Sequence, residues 1–185
     1  FEPRLHYPGK ADIEHRSQFA FVGTGFKSRI DFLEQVNWQG IDAAIAGHWQ
    51  ELHEDSPLRG FLAHDIGLCC ANSDTVKLYQ GTQISANIYR KESEREGLEI
   101  GWAMGPREVE LAAIGIPFLR DPRPEGNELF PFLPTFTTPD QFEGLLRWHL
   151  ARPDHLAALG VQALQAVQNR TFANSAARML RLLDL

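Results

Sequence analysis

Arg107, Glu108 and Glu110 stand together in the stretch GWAMGPREVELAAIG, residues 101–115. Two glycines and a proline lead into them, and an alanine run closes on Gly115. A proline suits the first position of a helix, where its missing N–H has no intrahelical partner to lose. Pro106 therefore predicts a helix with Gly105 at or near its N-cap. Two chemistries are open to the charged residues. In the first, Glu108 and Glu110 answer the positive end of the helix dipole, with Arg107 as their ion-pair neighbour. In the second, the free N–H groups of the helix start receive an anion such as a phosphate ester. A carboxylate one turn in then accepts two hydrogen bonds from a ribose diol, and Arg107 offers its fork to a diphosphate. Ala112, Ala113 and Gly115 let such a helix pack close against a sheet.

A second glycine turn, Gly23-Thr24-Gly25, follows the apolar run at 18–22. Arg29, just beyond it, reads either as a phosphate ligand or as a solvated helix residue. The same turn partly matches a dinucleotide fingerprint, with Ser28 where the third glycine belongs. Asp42 has roughly the spacing of the ribose-binding acid but sits at the start of the second strand. His48 and His53 are five apart, not the i, i+4 of a helical metal pair, and read as loop histidines. Cys69 and Cys70 are adjacent with no other cysteine in the chain. That excludes a disulfide framework, supplies too few ligands for zinc, and makes the reducing cytosol the expected compartment. The pair reads as a buried strand end rather than as nucleophiles. Asp121, Arg123, Glu125 and Glu128 form a charged loop, which Phe130, Phe132 and Phe136 pack down.

The elements that must position these groups alternate along the chain. Short apolar runs at 18–26, 41–47, 66–70, 84–90 and 116–120 predict five strands. Helical spacing predicts helices over 27–36, capped by Ser28, and over 72–82, capped by Asn72 or Ser73. The charged stretch 91–101 reads as a mobile loop and 121–134 as a proline-rich loop; three helices follow Thr138. The alternation predicts an α/β fold: a Rossmann-like parallel sheet flanked by helices, with C-terminal helices. Residues 1–17 read as a lead-in and 18–185 as one domain. Ligands are expected at the carboxyl ends of the strands, on the turns 23–28, 47–49, 70–72, 90–105 and 120–128.

The 185 residues suffice for one domain with a real core. A net charge of −6 argues against a generic nucleic-acid binder, since phosphate backbones select basic surfaces. The sequence holds no apolar run of membrane-spanning length and no signal-peptide pattern. It begins with Phe1, so a fragment or processed chain is expected. Arginine outnumbers lysine 14 to 4, a coding bias that also suits phosphate recognition.

GPREVELAAIGIPFL resembles the arginine, two residues, glutamate, then alanine and glycine element of GT-B glycosyltransferases. The resemblance is strongest to the CgeB-like group, named for a spore maturation protein. FVGTGFKSRIDFLEQV is similar to the glycine turn and arginine that open the donor half, and VKLYQGTQISANIYR to its tyrosine helix and asparagine-bearing strand. NELFPF and QNRTFANSAARMLRLL resemble the late loop and closing helices, so the likeness runs from about 18 to 184. It implies the nucleotide-sugar-binding half of a transferase. Arg107, Glu110 and Gly115 fall on the pattern, and the glutamate would hold the donor ribose. Gly23, Gly25, Arg29, Arg90, Gly105 and Glu128 would lie along the donor. The resemblance implies a nucleoside diphosphate sugar as substrate, with no cofactor and no bound metal, and an acceptor half on another segment. Trp102 stands where many retaining relatives carry a second glutamate, so that residue's role is not carried over, and Lys27 is only a candidate for the phosphate lysine. A dinucleotide-dependent oxidoreductase or epimerase and a non-catalytic nucleotide-sugar-binding domain stand as alternatives.

Overall fold

Four of the five apolar runs become parallel strands covered on both faces. The computed structural model describes residues 1–10, 13–92 and 101–183. In chain order its elements are β1 (Ser17–Val22), α1 (Lys27–Glu34), β2 (Ala43–Ala46), α2 (Asn72–Gln80), β3 (Thr82–Asn87), α3 (Pro106–Ile114), β4 (Phe118–Arg120), α4 (Pro124–Leu129), α5 (Pro139–Leu150), α6 (Pro153–Val167) and α7 (Phe172–Leu182). Single 3-10 turns lie at Ile13–His15 and Pro57–Phe61. The strands pair in parallel in the order β2-β1-β3-β4. Phe19 of β1 stands opposite Ala43 on one side and Ile84 on the other.

Successive strand residues face opposite sides of a sheet, so each strand feeds two cores. Phe19 and Phe21 join Ile45 and Ile84 beneath α1 and α5, which add Ile30, Leu33, Phe142 and Leu146. Ala20 and Val22 face the other way, toward Tyr79 of α2, Leu111 and Ala112 of α3 and Leu159 of α6. The α/β class expected from the sequence is thus the one found.

α3 follows from its punctuation. Pro106 sits in its first turn and Gly105 at its N-cap, with no side-chain cap hydrogen bond. Gly115 ends the helix in the left-handed region, φ 82°, which costs a glycine nothing. α6 crosses that end so closely that a Cβ on Gly160 would collide with the Gly115 carbonyl. Residues 1–10 pack beside α3 and α2: Gln80 Nε2 donates to the Tyr7 carbonyl at 2.9 Å, and the Phe1 amine donates to the Arg170 carbonyl at 2.9 Å.

The structure corrects several expectations. The fifth strand, at 66–70, is absent. Asp65 turns the chain there, its Oδ1 accepting the Gly67 N–H at 2.8 Å, a local bond that competes with a sheet ladder. The open edge of β2 meets Leu62 in a single parallel bridge instead. Cys69 is consequently exposed rather than a buried strand end. The N-caps of α1 and α2 are Phe26 and Ala71, and Ser28, Asn72 and Ser73 lie inside the helices. The proline-rich loop contains α4, which Pro124 starts. Residues 93–100, most of the expected charged loop, lie outside the described residues. Among the described residues no helix is long and apolar enough to cross a membrane.

Candidate functional site

From β1 the chain crosses to β2 on one side and then returns to β3 on the other. Such a reversal opens a crevice at the carboxyl ends of the two central strands. One wall is the turn after β1. Gly25 donates its N–H to the His48 carbonyl at 2.8 Å, and Gly23 donates to the Ala46 carbonyl at 2.9 Å. A Cβ on Gly25 would overlap the fully buried Trp49 ring. Gly47, φ 111°, lies so close to the Gly23 carbonyl that a Cβ would collide with it. Close packing of two strand ends thus already requires Gly25 and Gly47.

Arg29 bridges the crevice. Its Nε donates to the Ile88 carbonyl at 2.8 Å and its Nη1 to the Thr24 carbonyl at 3.0 Å. Burial lowers its pKa, and the nearby Glu92 raises it; an arginine so far above neutrality stays charged. The guanidinium rests over the rings of Phe21 and Phe26, and Arg90, itself exposed, also lies over Phe26. Glu92 caps the start of α1: Ser28 donates its N–H at 2.6 Å and its hydroxyl at 2.9 Å to the carboxylate. Desolvation opposes its ionisation, but these hydrogen bonds hold its pKa below the usual value. Lys27 is exposed and pairs with Asp31.

The other wall is the amino end of α3, whose two glutamates point in different directions. Glu110 faces outward and is ion-paired with Arg107 at 2.8 Å. It lines a cavity of about 340 Å³ together with Gly105, Pro106, Glu125, Arg170 and Phe172. Arg107 lies over the Tyr79 ring. Across the cavity Arg170 pairs with Glu125 at 3.1 Å.

Glu108 faces inward and is wholly buried. Its Oε1 accepts from Asn87 Nδ2 at 2.7 Å and from the Tyr89 hydroxyl. The Tyr89 hydroxyl in turn accepts the Gly105 N–H at 2.7 Å. Burial pushes the Glu108 pKa up, while the Tyr89 hydrogen bond, the charge of Arg120 and Asn87 pull it down. Burial and the Glu108 charge likewise push the Tyr89 phenol up. Arg120 is buried too, donating to Asn127 Oδ1 at 2.8 Å and to the Phe130 carbonyl at 3.2 Å. Among the described residues Glu108 Oε2 and Arg120 Nε have no hydrogen-bond partner. Gly126 leaves room for both: a Cβ there would stand 3.0 Å from Arg120 Nη1 and 3.1 Å from Glu108 Oε2.

The structure therefore gathers the expected residues into two groups. Gly105, Arg107 and Glu110 surround the α3 amino end, while Gly23, Gly25, Arg29 and Arg90 surround the β1 turn. The segment Ile88-Tyr89-Arg90 touches both. Glu128 is exposed on α4, and Glu125 is the α4 carboxylate that reaches the cavity. Trp102 is exposed, and His53 is an exposed loop residue beside Asp55. Asp42 precedes β2, away from the strand end where a dinucleotide ribose would need an acid. Among the described residues no three His, Cys, Asp or Glu side chains gather as a metal site. Sequence reasoning treated Glu108 as a dipole partner and missed its network. Its signal was there: Glu108, Leu111 and Ala112 have the i, i+3, i+4 spacing of one helix face, and that face is apolar.

The chain belongs to the glycosyl transferase-like family, whose profile matches residues 29–184. None of the curated proteins matches it. Among solved structures it is similar to sucrose-phosphate synthase from Thermosynechococcus elongatus, at 12% identity and a TM-score of 0.69, over 99% of this chain and 51% of that one. It is also similar to the GtfA/B complex, at 15% identity and a TM-score of 0.60, over 97% of this chain and 37% of that one. The chain thus spans about half of the first structure and little more than a third of the second. At such identities the likeness is one of fold.

Proposed function

We propose that this chain is the nucleotide-sugar-binding half of a GT-B glycosyltransferase of the CgeB-like group. The observation that carries the reading is the amino end of α3, which starts from a glycine N-cap and opens beside the Glu110 cavity. That cavity, about 340 Å³, falls in the size range of small-ligand sites. Glu110 accepts hydrogen bonds from the donor ribose. Arg107, Arg29 and the helix start face the diphosphate, on which negative charge builds as the bond to the sugar breaks. Fixed positive groups aimed at that charge are worth more in the transition state than in the ground state, and so accelerate transfer. The reading gives the electrophilic role to arginines and the helix end, without a cofactor or metal. An acceptor half on another segment supplies the acceptor and its base. Two free cysteines suit a reducing, cytoplasmic setting.

Isothermal titration of the chain with UDP, GDP and NAD tests this, with Glu110→Ala alongside. We expect a nucleoside diphosphate to bind and the variant to bind it at least about tenfold more weakly, since hydrogen bonds to a charged group contribute about 1.5–3 kcal/mol each. The reading fails if the folded chain binds neither nucleoside diphosphate, or if Glu110→Ala binds like the wild type.

A further inference from the structure

The buried network behind α3 has a direction. Glu108 lies wholly inside the protein, Asn87 holds its Oε1 from the end of β3, and Tyr89 holds the same oxygen from two residues on. Tyr89 then accepts the N–H of Gly105, the N-cap from which α3 starts. Arg123 stacks on the Tyr89 ring at 4.3 Å from its centroid, and the Tyr89 N–H donates to Asp121 Oδ2 at 2.8 Å. Both polar functions of the phenol are therefore committed, one inward and one to the loop. A phenol so engaged is a fixed strut rather than a proton carrier. Burying a carboxylate without a direct ion pair is costly, so a fold that retains one needs its hydrogen bonds intact.

We propose that Tyr89 and Glu108 are positioning residues that clamp Gly105 and thereby hold the amino end of α3 in the shape that receives the diphosphate. The proposal rests on the donor reading above for its ligand, though not for its geometry. Losing the phenol oxygen frees the Gly105 N–H and lets the turn sample other conformations, and binding then carries the cost of ordering it. Glu108 acts through Tyr89 and touches no ligand.

The test uses the whole chain and two readouts. Hydrogen exchange of the Gly105 amide, followed by NMR without ligand, reports the clamp. Titration with UDP and GDP reports its use. Tyr89→Phe should speed Gly105 exchange about tenfold, leave the core amide of Leu146 unchanged, and weaken nucleoside diphosphate binding about fivefold to tenfold. Glu108→Gln keeps the accepting Oε1 and should stay near wild type in both readouts, whereas Glu108→Leu should behave like Tyr89→Phe. Unchanged Gly105 exchange in Tyr89→Phe overturns the clamp. Faster exchange with wild-type affinity overturns its role in binding. If Tyr89→Phe also loosens Leu146, the Glu108 pair decides, and a Gln variant as loose as the Leu variant overturns the clamp. A wild-type chain that binds neither nucleotide removes the donor reading and the positioning role with it, and the exchange contrast still separates that failure from failure of the clamp.

Discussion

The two walls of the crevice contrast in what their sequences advertise. The turn after β1 carries two glycines and an arginine and looks like a ligand cradle. Gly25 turns out to be demanded by the Trp49 ring, and Gly47 beside it by the Gly23 carbonyl, whereas a Cβ on Gly23 would meet nothing closer than the Phe21 ring, at 3.1 Å. Its arginine holds two backbone carbonyls, and a carboxylate already caps the helix behind it. The start of α3 looks like ordinary helix-end chemistry. Yet it has a glycine N-cap, a cavity, and a buried carboxylate with an oxygen that has no partner among the described residues. Glycine density reports how closely backbones approach, whatever the reason. Spare polar capacity inside a core is the rarer signal, because unpaired buried groups are selected against unless something uses them.

Three measurements would break or sharpen that contrast. The largest effect belongs to the packed wall. Gly47→Ala would place a Cβ against the Gly23 carbonyl at a positive φ, so both strain and clash follow. We expect a loss of about 3 kcal/mol in urea unfolding. A loss under about 1 kcal/mol would mean that the turn is soft and that its glycines are free for a ligand.

The second change tests the other wall. Gly126→Ala would push a methyl between Arg120 and Glu108, each of which must give by a few tenths of an ångström. A loss of about 1 kcal/mol is expected, with faster Gly105 exchange through the shared network. Exchange that stays at the wild-type rate would detach Gly126 from the clamp.

The smallest effect is a slope. The Glu108 pKa is raised in the folded chain, mainly by burial. A raised carboxyl pKa means that the folded state holds the proton more tightly than the unfolded state does. The stabilisation from that proton is complete below the ordinary glutamate pKa and is lost as pH rises through the raised value. The wild type minus Glu108→Gln stability difference should therefore favour the wild type most in acid and decline with rising pH. A difference that grows with pH would mean that Arg120 and the hydrogen bonds outweigh burial.

Much of the fold was legible because it depends on local pattern. The runs at 18–26, 41–47, 84–90 and 116–120 each overlap a strand, and the Pro106–Gly115 punctuation bounds a helix as expected. The run at 66–70 misled because a short apolar stretch looks alike in a strand and in a turn; Asp65 and Gly67 decided it through one side-chain bond. α4 was readable from Pro124 at a helix start, a signal outweighed by the neighbouring prolines. The site was less legible. Residue type alone placed Glu108 and Glu110 in one chemistry, and only their angular separation on the helix divides them. The roles of Asn87, Tyr89 and Arg120 depend on strand order, which brings β3 beside β4 through a crossover that local pattern does not encode.

Successive residues of a helix advance by about 100°, so positions 108 and 110 lie about 200° apart. One turn of α3 thus carries an inward anchor and an outward contact in fixed phase. Changes in length at 101–104 would leave that phase intact. A single insertion or deletion between 108 and 110 would rotate one carboxylate out of its place and leave the other behind. The history of such chains should accordingly show loops of varied length before Gly105 and an invariant count of residues after it.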